Sequence, residues 1–366
     1  MKVIDWVIVG GGLSGIISIC VIYNRFPSNT ILWIDKDNFN GGDLSLYPEV
    51  YANTPIKTMI KFFSELYDMI NITKERSIID VSEPDSWCTL GVYHKDLLKL
   101  SSLLLKLNNV SFINDNVNEI KRIDNLWKLQ CINGNESEDY NEYVCDKIVL
   151  ATGCNQKTLI YDTPAIPIYN ALNIHKLIEL DNNKNITNKK IVVFGNSHSG
   201  ILILKNLVDM KCKNISCVYK RHICIPYYNK NTNTIEINEQ TGLRGIALEW
   251  VNKNIYPTNK TNIQFIKYDN DNLQTIINEA DYLIYAIGLE QRQIPIINTC
   301  PNEQDKTKIC YKNIAYNPHT GLICENIYGI GVAFPDYYFR GTYQCKIGMY
   351  EFLEQTRKIL LPTKNT

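Results

Sequence analysis

Close to the start of the chain an apolar strand runs directly into a glycine turn. Residues 7–15 read VIVGGGLSG, placing Gly10, Gly12 and Gly15 at G-x-G-x-x-G spacing ahead of a helix-like run. Gly10 permits the tight turn, Gly12 lets the backbone approach a pyrophosphate, and Gly15 lets helix and strand pack closely. The helix N-terminus adds the positive end of its dipole. Residues 31–35, ILWID, supply a second apolar strand ending in Asp35, 20 residues past the last glycine. A carboxylate there accepts from ribose hydroxyls. The pattern predicts a dinucleotide cradle, the alternative being a glycine-rich turn that holds no nucleotide.

The stretch from Val7 to Tyr23 is uncharged, but it is short, contains three adjacent glycines and follows Asp5. It reads as the first strand and helix of a soluble domain rather than a membrane span or leader. With 366 residues and 45% hydrophobic content the chain has room for two or three cored domains. Formal net charge is zero, so no basic face for a phosphate backbone is implied and nucleic acid is not an expected partner.

A second turn of the same kind lies at residues 190–200, KIVVFGNSHSG, where Gly195, Ser197 and Gly200 take the three fingerprint positions before the helical run ILILKNLVDM. Serine in the middle is a departure that still leaves a small side chain near a pyrophosphate. The following strand, SCVYKR, ends in Lys220 and Arg221 rather than in an acid. A basic end suits the 2'-phosphate of NADP, and an ordinary solvated strand end is the alternative. Turns 185 residues apart indicate two Rossmann-like units rather than a tandem repeat.

Between the turns, residues 110–131 carry short alternating apolar stretches, as an antiparallel meander does. DKIVLATG at 146–153 and DYLIYAIG at 281–288 read as buried strands closing on glycine turns. IYGIGVAFP at 327–335, with Gly331, and a helical run at 343–360 return the chain to the first unit. The expected architecture is α/β: an FAD unit at 1–156 and 311–366, with an NAD(P)H unit inserted at 157–310.

None of the 12 cysteines forms a C-x-x-C pair, and their spacing fits no zinc pattern, so they read as free thiols in a reducing compartment. Cys212 and Cys217 have a spacing shared by some flavin disulfide reductases, but Cys217 opens a strand and both read as buried structural thiols.

With these motifs in order, the chain resembles the two-dinucleotide-binding-domain flavoproteins, and within them the flavin-containing monooxygenase branch, along nearly its whole length. Asp35 followed by Gly41 and Gly42 matches the family's acid and paired glycines, and Asn53-Thr54-Pro55 its Asn-x-Pro element. Ala151-Thr152-Gly153 matches its ATG linker, and GNSHSG its NADPH turn. Three departures stand out: Asp43 and Leu44 replace the Trp usual after the paired glycines, the His-containing signature before the second turn is missing, and no hydrophobic C-terminal anchor is read. His175 is either a displaced remnant of that signature or an ordinary helix residue.

The resemblance implies FAD at Gly10, Gly12, Gly15, Asp35, Gly42, Thr152, Gly153 and Gly331, and NADPH at Gly195, Ser197, Gly200, Lys220 and Arg221. It implies hydride transfer to the flavin and then onward to oxygen and a small-molecule substrate, with no protein nucleophile or metal required. Asn53 is the candidate beside the reacting flavin, or else a turn-forming Asn. His198 is placed to hold phosphate or move a proton, or is a local hydrogen-bonding group. Tyr337, Tyr338 and Tyr343 line either a pocket over the flavin or a packed surface. Three function classes stay open: an NADPH-dependent flavin monooxygenase, an NAD(P)H-dependent flavin reductase or electron-transfer enzyme, and a non-catalytic nucleotide-binding regulator. A cytoplasmic protein, possible as a homodimer and without membrane partner, is expected.

Overall fold

The structure is a computed structural model that describes residues 2–72, 86–132, 140–223, 227–229, 234–236, 243–269, 271–298, 309–311, 314–339, 343–346 and 348–359. β1 (Ile4–Val9), α1 (Leu13–Arg25) and β2 (Ile31–Ile34) form the first strand-helix-strand unit, with β1 and β2 parallel. Both strands are rich in isoleucine, valine and tryptophan, as strands covered on both faces require. α1 is equally apolar, and every residue from Gly15 to Ile22 is buried. It lies between the sheet and a layer made by α2 (Ile56–Met69), α3 (Leu90–Leu104) and a C-terminal helix. Asp5 staples the strand starts together: its carboxylate accepts from the Thr30 N–H at 2.7 Å and hydroxyl at 2.8 Å.

β3 (Val110–Ile113) pairs parallel with β2. It therefore belongs to the Rossmann sheet and not to the meander read over residues 110–131. The meander proper is β4 (Asn116–Ile123), β5 (Leu126–Ile132) and the first half of β6 (Tyr140–Leu150). The last six residues of β6 run parallel to β1, so one long strand carries both sheet types. β7 (Cys154–Gln156) then leaves this unit.

The second unit contains α4 (Ile168–Leu172), α5 (Ile174–Lys184), β8 (Lys190–Phe194), α6 (His198–Asp209) and β9 (Asn214–Tyr219). A hairpin of β10 (Tyr227–Asn229) and β11 (Thr234–Glu236) precedes α7 (Gly245–Asn254), β12 (Ile263–Lys267), α8 (Leu273–Asn278) and β13 (Tyr282–Tyr285). Its sheet is wholly parallel in the order β12-β9-β8-β13. That is the strand order of a dinucleotide fold, with the first strand central and the glycine turn at its carboxyl end.

The chain returns earlier than residue 311. β14 (Leu289–Gln291) pairs with β7 to make a two-stranded link, and β15 (Ile296–Asn298) already adds to β4 in the first sheet. The boundary expected at 310 therefore falls within 289–298, because strand pairing rather than composition decides where a unit ends. A hairpin of β16 (Ile309–Tyr311) and β17 (Ile314–Tyr316) follows. Next come β18 (Leu322–Cys324) and β19 (Ile327–Gly329), the latter completing the parallel sheet against β6. β20 (Asp336–Phe339) pairs with β21 (Tyr343–Lys346) ahead of α9 (Met349–Ile359). The helix read over 343–360 is thus shorter. Residues 343–346, YQCK, are strand-compatible and Gly348 separates them from the helix.

The two units also share packing. Val50 is part of the second unit's core, with Tyr47 and Leu90 packed against it. Trp87 lies so close to Gly245, where φ is +54°, that a Cβ there would sit 2.9 Å from the indole nitrogen. Among the described residues no helix is long and apolar enough to cross a membrane.

Candidate active site

The glycine turns do three different jobs, and the structure separates them. Gly10 has φ of +118°, and a Cβ on it would lie 2.3 Å from the Ala151 carbonyl oxygen. A Cβ on Gly15 would lie 2.0 Å from the Gly10 carbonyl. That carbonyl also accepts from the Trp33 indole at 3.0 Å. These two glycines are dictated by the protein's own packing. Gly12 differs: with ordinary φ of −82°, its Cβ would meet nothing nearer than Gly42 Cα at 3.8 Å. It lines a cleft of about 710 Å3. Gly12 is also the N-cap of α1 and makes no side-chain cap bond, so the first N–H groups of that helix stay available to an anion.

The rest of the cleft comes from distant segments. Asp35, Lys36 and Asp37 follow β2, while Asp115 to Asn118 lead into β4. The paired glycines Gly41 and Gly42 contribute together with Asp43, Leu44 and Tyr47 after them, and Thr152 to Gln156 follow β6. Gly41 and Gly42 have φ of +78° and +71°, and a Cβ on Gly42 would reach 3.1 Å from Gly12 Cα. The two glycine turns thus abut. His94 on α3 fixes the second one through a hydrogen bond between its Nε2 and the Asn40 carbonyl. No local pattern marks His94 in the sequence.

Asp35 is where the pattern places it, but its carboxylate is largely engaged. Oδ1 accepts from the Gly11 N–H at 2.7 Å, and Oδ2 from Asp37 N–H at 3.1 Å and Phe39 N–H at 2.8 Å. A carboxylate has about four acceptor sites, so Asp35 chiefly shapes the turn and keeps room for about one further donor. Thr152 Oγ1 is buried in the lining without a hydrogen-bond partner among the described residues. Gly153 has φ of +71° and also lines the cleft. Gly331 does not. Its φ is +86°, and a Cβ there would sit 2.0 Å from Ser14 Oγ, so close approach to α1 explains that glycine while its neighbour Val332 faces the cleft.

Asn53 is exposed in the turn before α2, its Oδ1 accepting from the Thr54 hydroxyl at 3.5 Å, and it is not part of the cleft lining.

The second turn repeats the first. A Cβ on Gly195 would lie 2.3 Å from the Ala286 carbonyl, and one on Gly200 would lie 2.0 Å from the Gly195 carbonyl. Ser197 has φ of −81° and ψ of −170°, against −82° and −175° for Gly12. A serine fits that backbone without strain. Asn196 Nδ2 donates to the Arg221 carbonyl at 2.8 Å, tying the end of β9 to the turn. Lys220 sits 4.5 Å over the Tyr268 ring, and Arg221 is exposed. His198 opens α6 with neither ring nitrogen completing a hydrogen bond among the described residues. Burial pushes its pKa below the usual histidine range, partly offset by the Tyr51 backbone, so it is neutral at pH 7. His175 is an exposed residue in the first turn of α5, as an ordinary helix position would be.

The seven cysteines free among the described residues include Cys212 and Cys217, both buried. Burial, with Asp181 nearby, pushes Cys212 up to about 11, and burial alone pushes Cys217 up to about 12. Cys324 departs from the free-thiol expectation because it is disulfide-bonded. Tyr337 packs against the first unit's core, while the side chains of Tyr338 and Tyr343 lie outside the described residues.

Two sheets with parallel cores, each with a glycine turn at the carboxyl end of its first strand, give the architecture of the two-domain FAD and NAD(P) oxidoreductases. The chain belongs to the pyridine nucleotide-disulphide oxidoreductase family, whose model matches residues 4–334. It is 24% identical over 387 residues to the monooxygenase AgnR1 of Paecilomyces divaricatus, covering 96% of each chain. Among solved structures it is similar to FAD-bound DfoA of Erwinia amylovora, the cadaverine monooxygenase of desferrioxamine biosynthesis. The TM-score is 0.62 at 12% identity, covering 98% of this chain and 94% of that one. It is also similar to the bacillithiol disulfide reductase Bdr of Bacillus cereus, with a TM-score of 0.56 at 13% identity and 98% of each chain covered.

Proposed function

We propose that the chain is an FAD-dependent NAD(P)H oxidoreductase of the flavin monooxygenase kind, drawing hydride from NADPH and passing the reducing equivalents to oxygen and a small-molecule substrate. The observation that carries this reading is the pair of matching turns, one of which opens on a cleft where Gly12 leaves space that any side chain would fill. FAD, when bound, supplies the two-electron chemistry and the reactivity toward oxygen. The residues that would hold it are Gly10 and Gly12 with the open N–H groups of α1, Gly42, Gly153 and the buried hydroxyl of Thr152. Gly195, Ser197 and Gly200 would hold the second nucleotide, and Val50 and Trp87 pack the two units against each other. Asn53 is proposed as a flavin-side residue on the family resemblance alone, since it stands outside the cleft lining.

The thiols support this reading over dithiol chemistry. With pKa values of about 11 and about 12, Cys212 and Cys217 are protonated at neutral pH, and the thiolate is the reactive form. A Cys212→Ala, Cys217→Ala double variant is therefore expected to reduce its flavin with NAD(P)H at the wild-type rate. Stopped-flow absorbance checks this, and a rate loss with folding intact would restore a disulfide-reductase role.

The experiment that separates monooxygenase from plain reductase is anaerobic reduction by NADPH followed by a pulse of oxygen. A long-lived oxygenated flavin absorbance is expected. Immediate release of hydrogen peroxide would favour the reductase reading.

A further inference from the structure

We propose that Arg292 is a flavin-directed residue: held by Asp43 and Asn155, it aims its remaining donors into the cleft and favours the reduced flavin. This rests on the FAD assignment above. Arg292 belongs to the link that leaves the second unit after β14, and residues 292–295 all line the cleft. The next residue, Ile296, pairs with Glu119 on β4, so the link runs along the cleft as an outer wall. Its far end lies by Asn116 to Asn118, on the Asp35 side where an adenosine belongs. Arg292 lies at the other end, beyond Gly42.

Three contacts fix the guanidinium. Nη2 donates to both Asp43 oxygens at 2.6 and 2.5 Å, and Nε donates to Asn155 Oδ1 at 2.9 Å. The backbone N–H of Arg292 reaches the Gly153 carbonyl at 3.4 Å. Nη1 has no acceptor among the described residues. It is the nearest atom, at 3.9 Å, to where a Cβ on Gly153 would be. Asp43 stands where the resembling flavoproteins carry Trp, so here the residue after the paired glycines anchors an arginine. Its side chain is 42% exposed and that of Arg292 25%, leaving Asp43 better solvated than the charge it holds.

Hydride transfer adds two electrons and one proton to the flavin ring, which therefore gains negative charge unless a second proton follows. A fixed cation with free N–H donors at that end stabilises the reduced ring more than the oxidised one. A residue that only braced the linker would not discriminate between the two.

The test uses the full chain, stripped of flavin and titrated with FAD, together with the midpoint potential of the reconstituted protein. Arg292→Met is expected to bind oxidised FAD less tightly and the reduced form about tenfold weaker still, which lowers a two-electron potential by about 30 mV. Asp43→Asn keeps the guanidinium and removes its counter-charge, so its potential is expected to move the opposite way. Unchanged affinity and potential in Arg292→Met would overturn the inference. So would weaker binding with an unmoved potential, or shifts of the same sign in both variants. Wild-type protein that takes up no FAD would instead overturn the parent reading and this one with it.

Discussion

Replacing Gly12 with valine is expected to yield folded, colourless protein. The substituted Cβ meets nothing within 3.8 Å and the backbone is in an extended conformation open to any residue. The fold then loses only the difference between glycine and valine as a helix N-cap, about 1 kcal/mol. The cleft loses far more, because the side chain fills the space through which a pyrophosphate must approach the first N–H groups of α1. Gly15→Ala is the opposite case. Its Cβ would overlap the Gly10 carbonyl at 2.0 Å, so helix and strand must separate, at a cost of about 3 kcal/mol. Flavin absorbance after purification, read beside the thermal melting curve, distinguishes the two. G12V with full flavin content and an unchanged melt would show that the turn is not the flavin site.

The contrast shows which parts of the site a sequence can carry. Glycine spacing encodes a backbone path over a few residues, so both turns, the strands feeding them and the helices leaving them were legible. The relation between Gly12 and Ser197 was legible for the same reason. Side-chain meetings across the fold were not. Arg292 and Asp43 are 249 positions apart, and nothing local distinguishes that arginine from any solvated one. The departure at Asp43 was visible, but its partner depends on where the linker runs once β15 has paired with β4. Gly331 was read as a ligand contact on the family resemblance. Here helix packing against Ser14 demands it. The backbone donors on Asp35 were hidden similarly: Asp37 and Phe39 reach it only once the chain folds back past β2, and Gly11 reaches it from the neighbouring glycine turn.

NADPH is expected to be used in preference to NADH by about tenfold at low salt. The preference rests on Lys220 and Arg221, which follow β9 where dinucleotide folds meet the adenine ribose. The bond from Asn196 to the Arg221 carbonyl holds this segment beside the second glycine turn, so the two cations stand within the same nucleotide's reach. Charge-assisted hydrogen bonds contribute about 1.5 to 3 kcal/mol, and both residues are exposed, which favours the lower part of that range. Lys220 is already placed over the Tyr268 ring, whereas the Arg221 fork has no side-chain partner among the described residues, so the arginine is expected to matter more. Arg221→Ala should raise the KM for NADPH about tenfold and leave that for NADH little changed, and the gap should shrink as ionic strength rises. Equal use of the two nucleotides by wild-type protein, or equal losses for both in the variant, would reduce these charges to a solvated strand end.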